Sequence, residues 1–269
     1  MALSPNMNVM LRAAEKAARS LVRDFGEVEQ LQVSQKGPAD FVSAADHRSE
    51  QIIFEELSKA RKDFGFLMEE RGEIKGTSNS RFIVDPLDGT TNFLHGIPHW
   101  NITIALEENG EIVAGIVYDP IKDEMFRAEK GGGAFMMNKR LRVSGRRDLS
   151  SSLIATGMIA PMRATHKNHS RQVNAVAART GDVRRFGSAA LDLAYVAAGR
   201  YEGYWESNLK PWDIAAGCLI VKEAGGFVSS IQGSDNPVYN GNIVAANHSL
   251  FDELKKTLVA ASAEKDAAA

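Results

Sequence analysis

The chain has 269 residues, 44% of them apolar and 25% charged, with a formal net charge of −2. That composition excludes a collagen-like or low-complexity chain, and the near-neutral balance gives no global attraction to nucleic acid or to an anionic membrane. The single cysteine, Cys218, excludes an intramolecular disulfide, its apolar context AAGCLIV predicts a buried inert thiol, and no window approaches the ~20 apolar residues of a membrane span.

Ser4-Pro5 predicts a helix start with proline at the first helical position. Val9, Leu11, Ala14, Ala17, Ala18, Leu21 and Val22 then recur near a 3.6-residue period as far as Phe25. A second helix is predicted from Ser43, with Asp46 in its first turn and Ile52, Ile53, Phe54 and Leu57 on its buried side. The runs Phe64-Gly65-Phe66-Leu67 and Phe82-Ile83-Val84 read as buried strands. Residues 102–106 and 112–117 flank Asn109-Gly110, a dipeptide suited to a type I′ hairpin turn. Strands at 125–128, 134–137 and 141–143 are expected to extend an antiparallel sheet, broken at Gly131-Gly132-Gly133.

From about residue 150 strands and helices alternate. Strands are predicted at 153–155, 183–186, 201–205, 227–230 and 243–246, with helices at 168–177, 188–197, 212–224 and 250–260. The fold class expected is α/β in its layered α+β form, an αβαβα sandwich of sheets covered by helices. Residues 1–146 would form an N-terminal lobe with a largely antiparallel sheet. Residues 147–269 would form a C-terminal lobe with a smaller mixed sheet, the two making one catalytic unit with its site between them. The N-terminus carries no basic segment ahead of an unbroken apolar stretch, so a cytoplasmic protein without a membrane partner is expected.

The segment VDPLDGTTNF at 84–93 carries the chemistry. Residues three apart on a strand lie about 10 Å apart on opposite faces. Asp85 and Asp88 therefore converge only if the chain turns between them, a turn that Pro86 is expected to supply. Two carboxylates about 4 Å apart repel by about 4 kcal/mol at an effective dielectric of 20. Either the segment is a solvated acidic turn, or it holds a hard divalent cation through oxygen ligands, Mg²⁺ first and Mn²⁺ or Ca²⁺ next. Further acids stand at comparable junctions: Glu69-Glu70 after the run FGFL, and Asp213 at a helix start, where the dipole alone would also favour it. If a tight turn or helix begins at Gly89-Thr90, its N–H groups would form an anion site beside the cation site, a combination suited to a phosphate ester.

These residues resemble the signature of the inositol monophosphatase family. The resemblance rests on Asp85-Pro86-Leu87-Asp88-Gly89-Thr90-Thr91-Asn92-Phe93 and on three further blocks. These are Lys36 with Asp40-Phe41-Val42-Ser43-Ala44-Ala45-Asp46, then Glu69-Glu70, then Trp212-Asp213-Ile214-Ala215-Ala216-Gly217. It spans about residues 9–260 and is strongest to the bacterial branch, through GGGAF at 131–135, GSAALDLAYVAAGR at 187–200 and YWESNLKPWD at 204–213. The resemblance implies Mg²⁺-dependent hydrolysis of a phosphate monoester by metal-activated water, with two or three ions and Mn²⁺ as a substitute. Glu69, Asp85 and the Leu87 carbonyl would hold one ion, and Asp85, Asp88 and Asp213 a second, with Glu69 also implied for a weaker third. Thr90 with Asp46 would orient and deprotonate water, and Glu69 is counted with them as catalytic. Gly89 and Thr90 N–H groups would bind phosphate oxygens, and Asp88, Ala189 and Glu206 would face the alcohol. Lithium sensitivity and a homodimer are implied too. Met68, Arg71 and Ser43 depart from the family's usual residues, the first two in a loop expected to border the site.

The function expected is hydrolysis of myo-inositol monophosphate or a similar small polyol phosphate. Fructose 1,6-bisphosphate, a nucleotide 3′-phosphate, histidinol phosphate or NADP are the alternative substrates. A regulator associated with RNA or protein is the alternative of another class, although nucleic-acid binding is not expected from the charge. His95 and His99 read as loop histidines, Lys36 as a solvated lysine or a loop anchor, Asn92 as a brace for the turn, and Arg184-Arg185 as a solvent-facing or dimer-contact pair.

Overall fold

The computed structural model describes residues 3–27, 33–37, 40–157, 166–233 and 236–263, with side chains excluded at 33–42 and at 166. Helix α1 (Pro5–Gly26) begins where the Ser4 hydroxyl accepts the Met7 N–H at 3.0 Å. A hairpin, β1 (Val33–Gly37) and β2 (Asp40–Ser43), leads into α2 (Ala44–Ala60). The start of α2 is a capping box: Asp46 Oδ2 accepts the Ser43 N–H at 2.8 Å while Ser43 Oγ accepts from the Ala45 N–H at 3.1 Å.

The large sheet has eight strands: β3 (Gly65–Met68), β4 (Gly72–Ile74), β5 (Ser80–Asp88), β6 (Asn101–Glu108), β7 (Glu111–Asp119), β8 (Glu124–Glu129), β9 (Gly133–Met136) and β10 (Lys139–Arg140). Its order is β10-β9-β8-β7-β6-β5-β3-β4, antiparallel except for the pair β3·β5. A short helix, α3 (Thr90–Leu94), follows β5. Asn109 and Gly110 hold φ of 52° and 80° between β6 and β7, both positive as a type I′ turn requires. The small sheet comprises β11 (Leu153–Thr156), β12 (Asp182–Arg184), β13 (Gly203–Glu206), β14 (Phe227–Ser229) and β15 (Ile243–Ala246) in the order β12-β11-β13-β15-β14, parallel on one side and antiparallel on the other. Helices α4 (His166–Ala177), α5 (Ala189–Ala197), α6 (Pro211–Glu223) and α7 (Phe251–Ala263) complete the chain.

Strand alternation sorts the side chains into layers. Phe82, Val84, Ile102, Ile104 and Ile116 share a core with α1 and α2. Ile83, Ala105 and Val117, from the opposite face, pack with α5 and α6. That middle core also takes Ala155, Tyr204 and Ala245 of the small sheet, whereas Ile154, Trp205, Val244 and Ala246 turn outward to α4 and α7. The order is helices, sheet, helices, sheet, helices, the αβαβα sandwich that the pattern predicted.

Several expectations shift. The strand expected at 141–143 is instead the two-residue β10, and those expected at 183–186 and 201–205 begin or end up to two residues away, at β12 and β13. The hairpin β1·β2 and the strand β4 had no alternation long enough to reveal them. Pro86 does not turn the chain out of the sheet: β5 runs on to Asp88 through a bulge, where Asp85 faces Thr103 and Asp88 faces Asn101. Three steps on β5 thus match two on β6, which brings both aspartates to one face.

Candidate active site

The bulge aims Asp85 and Asp88 at the middle helix layer, and hydrogen bonds fix one oxygen of each. Asp85 Oδ1 accepts the Leu87 N–H at 2.9 Å. Asp88 Oδ2 accepts from Asn101 Nδ2 at 3.0 Å, Ser188 Oγ at 2.6 Å and the Ala190 N–H at 3.0 Å. The last two belong to the start of α5, so the carboxylate also sits at the positive end of that helix. Ser49 Oγ donates to the Pro86 carbonyl at 2.8 Å and pins the bulge to α2.

Glu69 follows β3 directly. Because β3 runs parallel to β5 with Met68 opposite Val84, and the Glu69 N–H reaches the Val84 carbonyl at 3.2 Å, Glu69 comes alongside Asp85. The loop after it is held by Glu50, buried on α2, whose Oε2 accepts the N–H groups of Glu70 and Arg71 at 2.8 and 3.3 Å. Asp213 comes from the first turn of α6, where its Oδ2 accepts the Lys210 N–H at 2.7 Å. Thr103 Oγ1 donates to the Trp212 carbonyl at 2.9 Å and seats that helix end on β6. Asp213 is both a helix-start acid and a wall of the site.

A pocket of about 180 Å³ gathers nine of the ten expected site residues: Glu69, Asp85, Leu87, Asp88, Gly89, Thr90, Ala189, Glu206 and Asp213. The tenth, Asp46, lies behind the wall, where its Oδ1 accepts from Thr90 Oγ1 at 3.1 Å. The Thr90 hydroxyl has a second acceptor within reach, the Leu87 carbonyl at 3.0 Å. Gly89 takes φ of 92°, and a Cβ there would lie 3.0 Å from the His99 carbonyl, so the turn into α3 requires glycine. Larger surface depressions, up to 620 Å³, carry acids and bases in near-equal number, whereas this pocket sets five carboxylates against one arginine.

Electrostatics follow from that imbalance. Burial, and then the charges of Glu69, Asp88 and Asp213, push the Asp85 carboxyl well above the ordinary carboxylate range. Asp213 is raised in the same direction by burial and by Asp88, Glu69 and Glu206. Asp88 is raised by burial, against the pull of its hydrogen bonds. Glu206, at the end of β13, is pushed up to about 7 by burial, while the Tyr204 hydroxyl donates to it at 2.5 Å. Asp46 is raised by burial, which makes it the stronger base. Among the described residues no three acid, imidazole or thiol groups close into a cage around a cation as they stand. The fit to a metal rests on donor chemistry: four mutually repelling carboxylates and a backbone carbonyl in one pocket form an all-oxygen set suited to a hard divalent ion.

Some residues stand elsewhere than expected. Arg185 is solvent-exposed, as expected of the pair, but it also lines the pocket, whereas Arg184 pairs with Asp182 at 2.5 Å. Met68 is fully buried in the core beneath α1 and α2, and Arg71 pairs with Glu50 at 3.2 Å and lies over the Phe54 ring, so neither borders the site. His99 is buried against Phe186 and Tyr195 and driven down to about 4 by burial, a neutral packing residue. Asn92 braces the turn as expected, donating to the His99 and Phe186 carbonyls at 2.8 and 2.7 Å. Cys218 is buried and its thiol is pushed up to about 12. The side chain of Lys36 lies outside the described residues. Asn101, Glu50 and Gly157 escaped the sequence reading, while Ser188 was read only as a helix start and Gly187 only as part of the block at 187–200, neither as a site residue.

The family model described as "Inositol monophosphatase family" matches residues 3–266. An inositol-1-monophosphatase of Mesorhizobium japonicum is 56% identical over 97% of this chain and 100% of its own length. A Nus factor SuhB of Escherichia coli strain K12 is 41% identical over 91% of this chain and 92% of its own. The crystal structure of extragenic suppressor protein suhB from Bartonella henselae superposes with a TM-score of 0.92, at 57% identity, covering 95% of this chain and 98% of that one. With the match running through nearly every element that builds the pocket, the chain belongs to the inositol monophosphatase family, a family of phosphatases.

Proposed function

We propose that this protein is a magnesium-dependent phosphatase that hydrolyses inositol monophosphate or a similar small polyol phosphate. The observation that carries the reading is the gathering of five carboxylates in one pocket beside the hydrogen-bonded pair Thr90 and Asp46. Glu69, Asp85 and the Leu87 carbonyl would hold one ion, and Asp85, Asp88 and Asp213 a second. Magnesium held there would supply positive charge to the ester oxygens and lower the pKa of water at the site.

The chain's own groups account for the proton. Thr90 Oγ1 can give its hydrogen to Asp46 Oδ1 while it accepts one from water. Asp46 suits the role of final acceptor because burial raises its basicity and its other oxygen is already committed to Ser43. As the water oxygen bonds to phosphorus, the phosphorus–ester oxygen bond breaks and the leaving group departs toward Glu206 and Ala189 as an alkoxide that takes a proton from solvent water, while the proton held on Asp46 returns to solvent. The N–H groups of Gly89 and Thr90, at the turn into α3, would bind the phosphate oxygens. Lithium sensitivity, a homodimer, a cytoplasmic location and the working of residues 1–146 and 147–269 as one unit belong to the same reading.

The test is phosphate release from myo-inositol 1-phosphate with Mg²⁺, for the wild type and for Asp88→Asn. Turnover should fall by orders of magnitude in the variant, and full turnover there would remove the site assignment. A second reading, membership of a protein or RNA complex, is favoured by the name Nus factor SuhB borne by the Escherichia coli relative. The same variant separates the two, since such binding should survive it.

A further inference from the structure

Beyond the carboxylates, the pocket ends in two charged side chains of opposite sign, Glu206 and Arg185. Each lies over a glycine. A Cβ on Gly157 would fall 1.8 Å from Glu206 Oε1, and one on Gly187, whose φ is 84°, would fall 2.8 Å from Arg185 Nη1. Any larger residue at either position would occupy the space that the charged group now fills. The backbone is thus cleared at two separate places, the end of β11 and the approach to α5, to let an acid and a base face one small cavity.

The two groups are chemically complementary to one kind of ligand. A guanidinium only donates hydrogen bonds, an ionised carboxylate only accepts them, and a hydroxyl does both. A second anionic group on the ligand would be drawn to Arg185 but repelled by Glu206 beside it. Two neighbouring hydroxyls meet no such conflict: one offers its oxygen to the guanidinium and the other its hydrogen to the carboxylate. Gly187, against which the guanidinium lies, stands two residues ahead of Ala189, which lines the same pocket as Glu206 and is expected with it to face the alcohol.

The geometry points to Arg185 as a specificity-determining residue that, with Glu206, selects phosphate esters whose alcohol carries adjacent hydroxyls. The inference rests on the phosphatase reading above. The experiment compares wild type with Arg185→Gln on myo-inositol 1-phosphate and on p-nitrophenyl phosphate, which has no hydroxyl to offer. Loss of one hydrogen bond from a charged donor should lower the ratio of the two kcat/KM values about tenfold or more, with the fall lying in KM for the inositol ester. An unchanged ratio overturns the inference, as does an equal loss on both esters, which would put Arg185 on the phosphate itself. A selective loss on fructose 1,6-bisphosphate, with the inositol ester spared, overturns it in favour of a second anion. If the wild type hydrolyses neither ester, the phosphatase reading fails separately. Calorimetric binding of myo-inositol 1-phosphate to wild type and Arg185→Gln then decides the role of Arg185, equal affinities counting against it.

Discussion

Replacing Thr90 by alanine removes the one hydroxyl that joins the pocket to Asp46. In the structure that hydroxyl has acceptors at 3.1 Å on Asp46 and 3.0 Å on the Leu87 carbonyl, and the residue lines the pocket. A proton relay of this kind contributes about 10²–10⁴ in rate, equivalent to roughly 3–5 kcal/mol at the usual ~1.4 kcal/mol per tenfold. Folding should suffer far less. Thr90 is half-buried, and Asp46 keeps its bonds to the Ser43 N–H and hydroxyl, so about 1–2 kcal/mol is expected for the lost hydrogen bond. The assay is kcat for phosphate release at saturating ester and Mg²⁺, with thermal unfolding measured on the same preparations. Thr90→Ser should restore most of the rate. Asp46→Asn should cost a comparable factor, and the double variant Thr90→Ala with Asp46→Asn should be little worse than either alone, because the two residues act as one unit. A Thr90→Ala enzyme within tenfold of wild type, or losses that multiply in the double variant, would refute the relay.

The remaining predictions concern stability. Met68→Ala opens a cavity in the core beneath α1 and α2 and should cost about 2–5 kcal/mol of folding free energy. Activity per folded molecule should stay close to wild type, and a selective loss of Mg²⁺ affinity would return Met68 to the site. Glu206 titrates in the opposite sense to a paired surface acid. Its carboxyl is raised from 4.5 to about 7, chiefly by burial, so its contribution to stability is full below the unfolded value and is lost as pH rises through about 7. The metal-free protein should therefore show a falling thermal midpoint between about pH 4.5 and 7, with a visibly smaller fall in Glu206→Gln. Parallel curves for the two proteins would show that the raised carboxyl is not there.

The layers were legible because each side of each strand reports where it goes: Phe82 and Val84 on one face, Ile83 on the other, with 3.6-residue periods in the helices to match. Short elements carried too little pattern. The two residues of β10 and the three of β4 are defined by their partners rather than by their own alternation. The acids were legible as types at unusual junctions, but the device that joins Asp85 to Asp88 was not. A proline between two charges suggests a turn, and only the pairing with Thr103 and Asn101 reveals a bulge. Arg185 was half legible: an adjacent pair of arginines suggests solvent exposure, which the structure bears out, but nothing local announces that one of them also lines the pocket against Gly187. Asn101 and Glu50 are buried polar residues whose partners lie far off in sequence, and their use is visible only in three dimensions.

The spacing of the acids is set by packing in the middle layer as much as by the acids themselves. Asp213 can face Asp85 and Asp88 only if α6 lies very close to the large sheet, and the contact that allows this is Gly115 of β7 against Ala216: a Cβ on Gly115 would stand 2.9 Å from the Ala216 Cα. Gly217 does the same on the side of α5, where a Cβ would meet Leu193 at 2.6 Å. Through that second contact α5 is held where Ser188 and the Ala190 N–H reach Asp88. Two glycine contacts, neither touching the pocket, thus fix how far apart three repelling carboxylates are kept. Interiors packed this densely pass a displacement of one methyl group on to their neighbours rather than absorbing it. The charge geometry of the pocket is therefore a property of how the two helices are seated, and the repulsion among the acids is resisted by the whole middle core rather than by the hydrogen bonds at the rim alone.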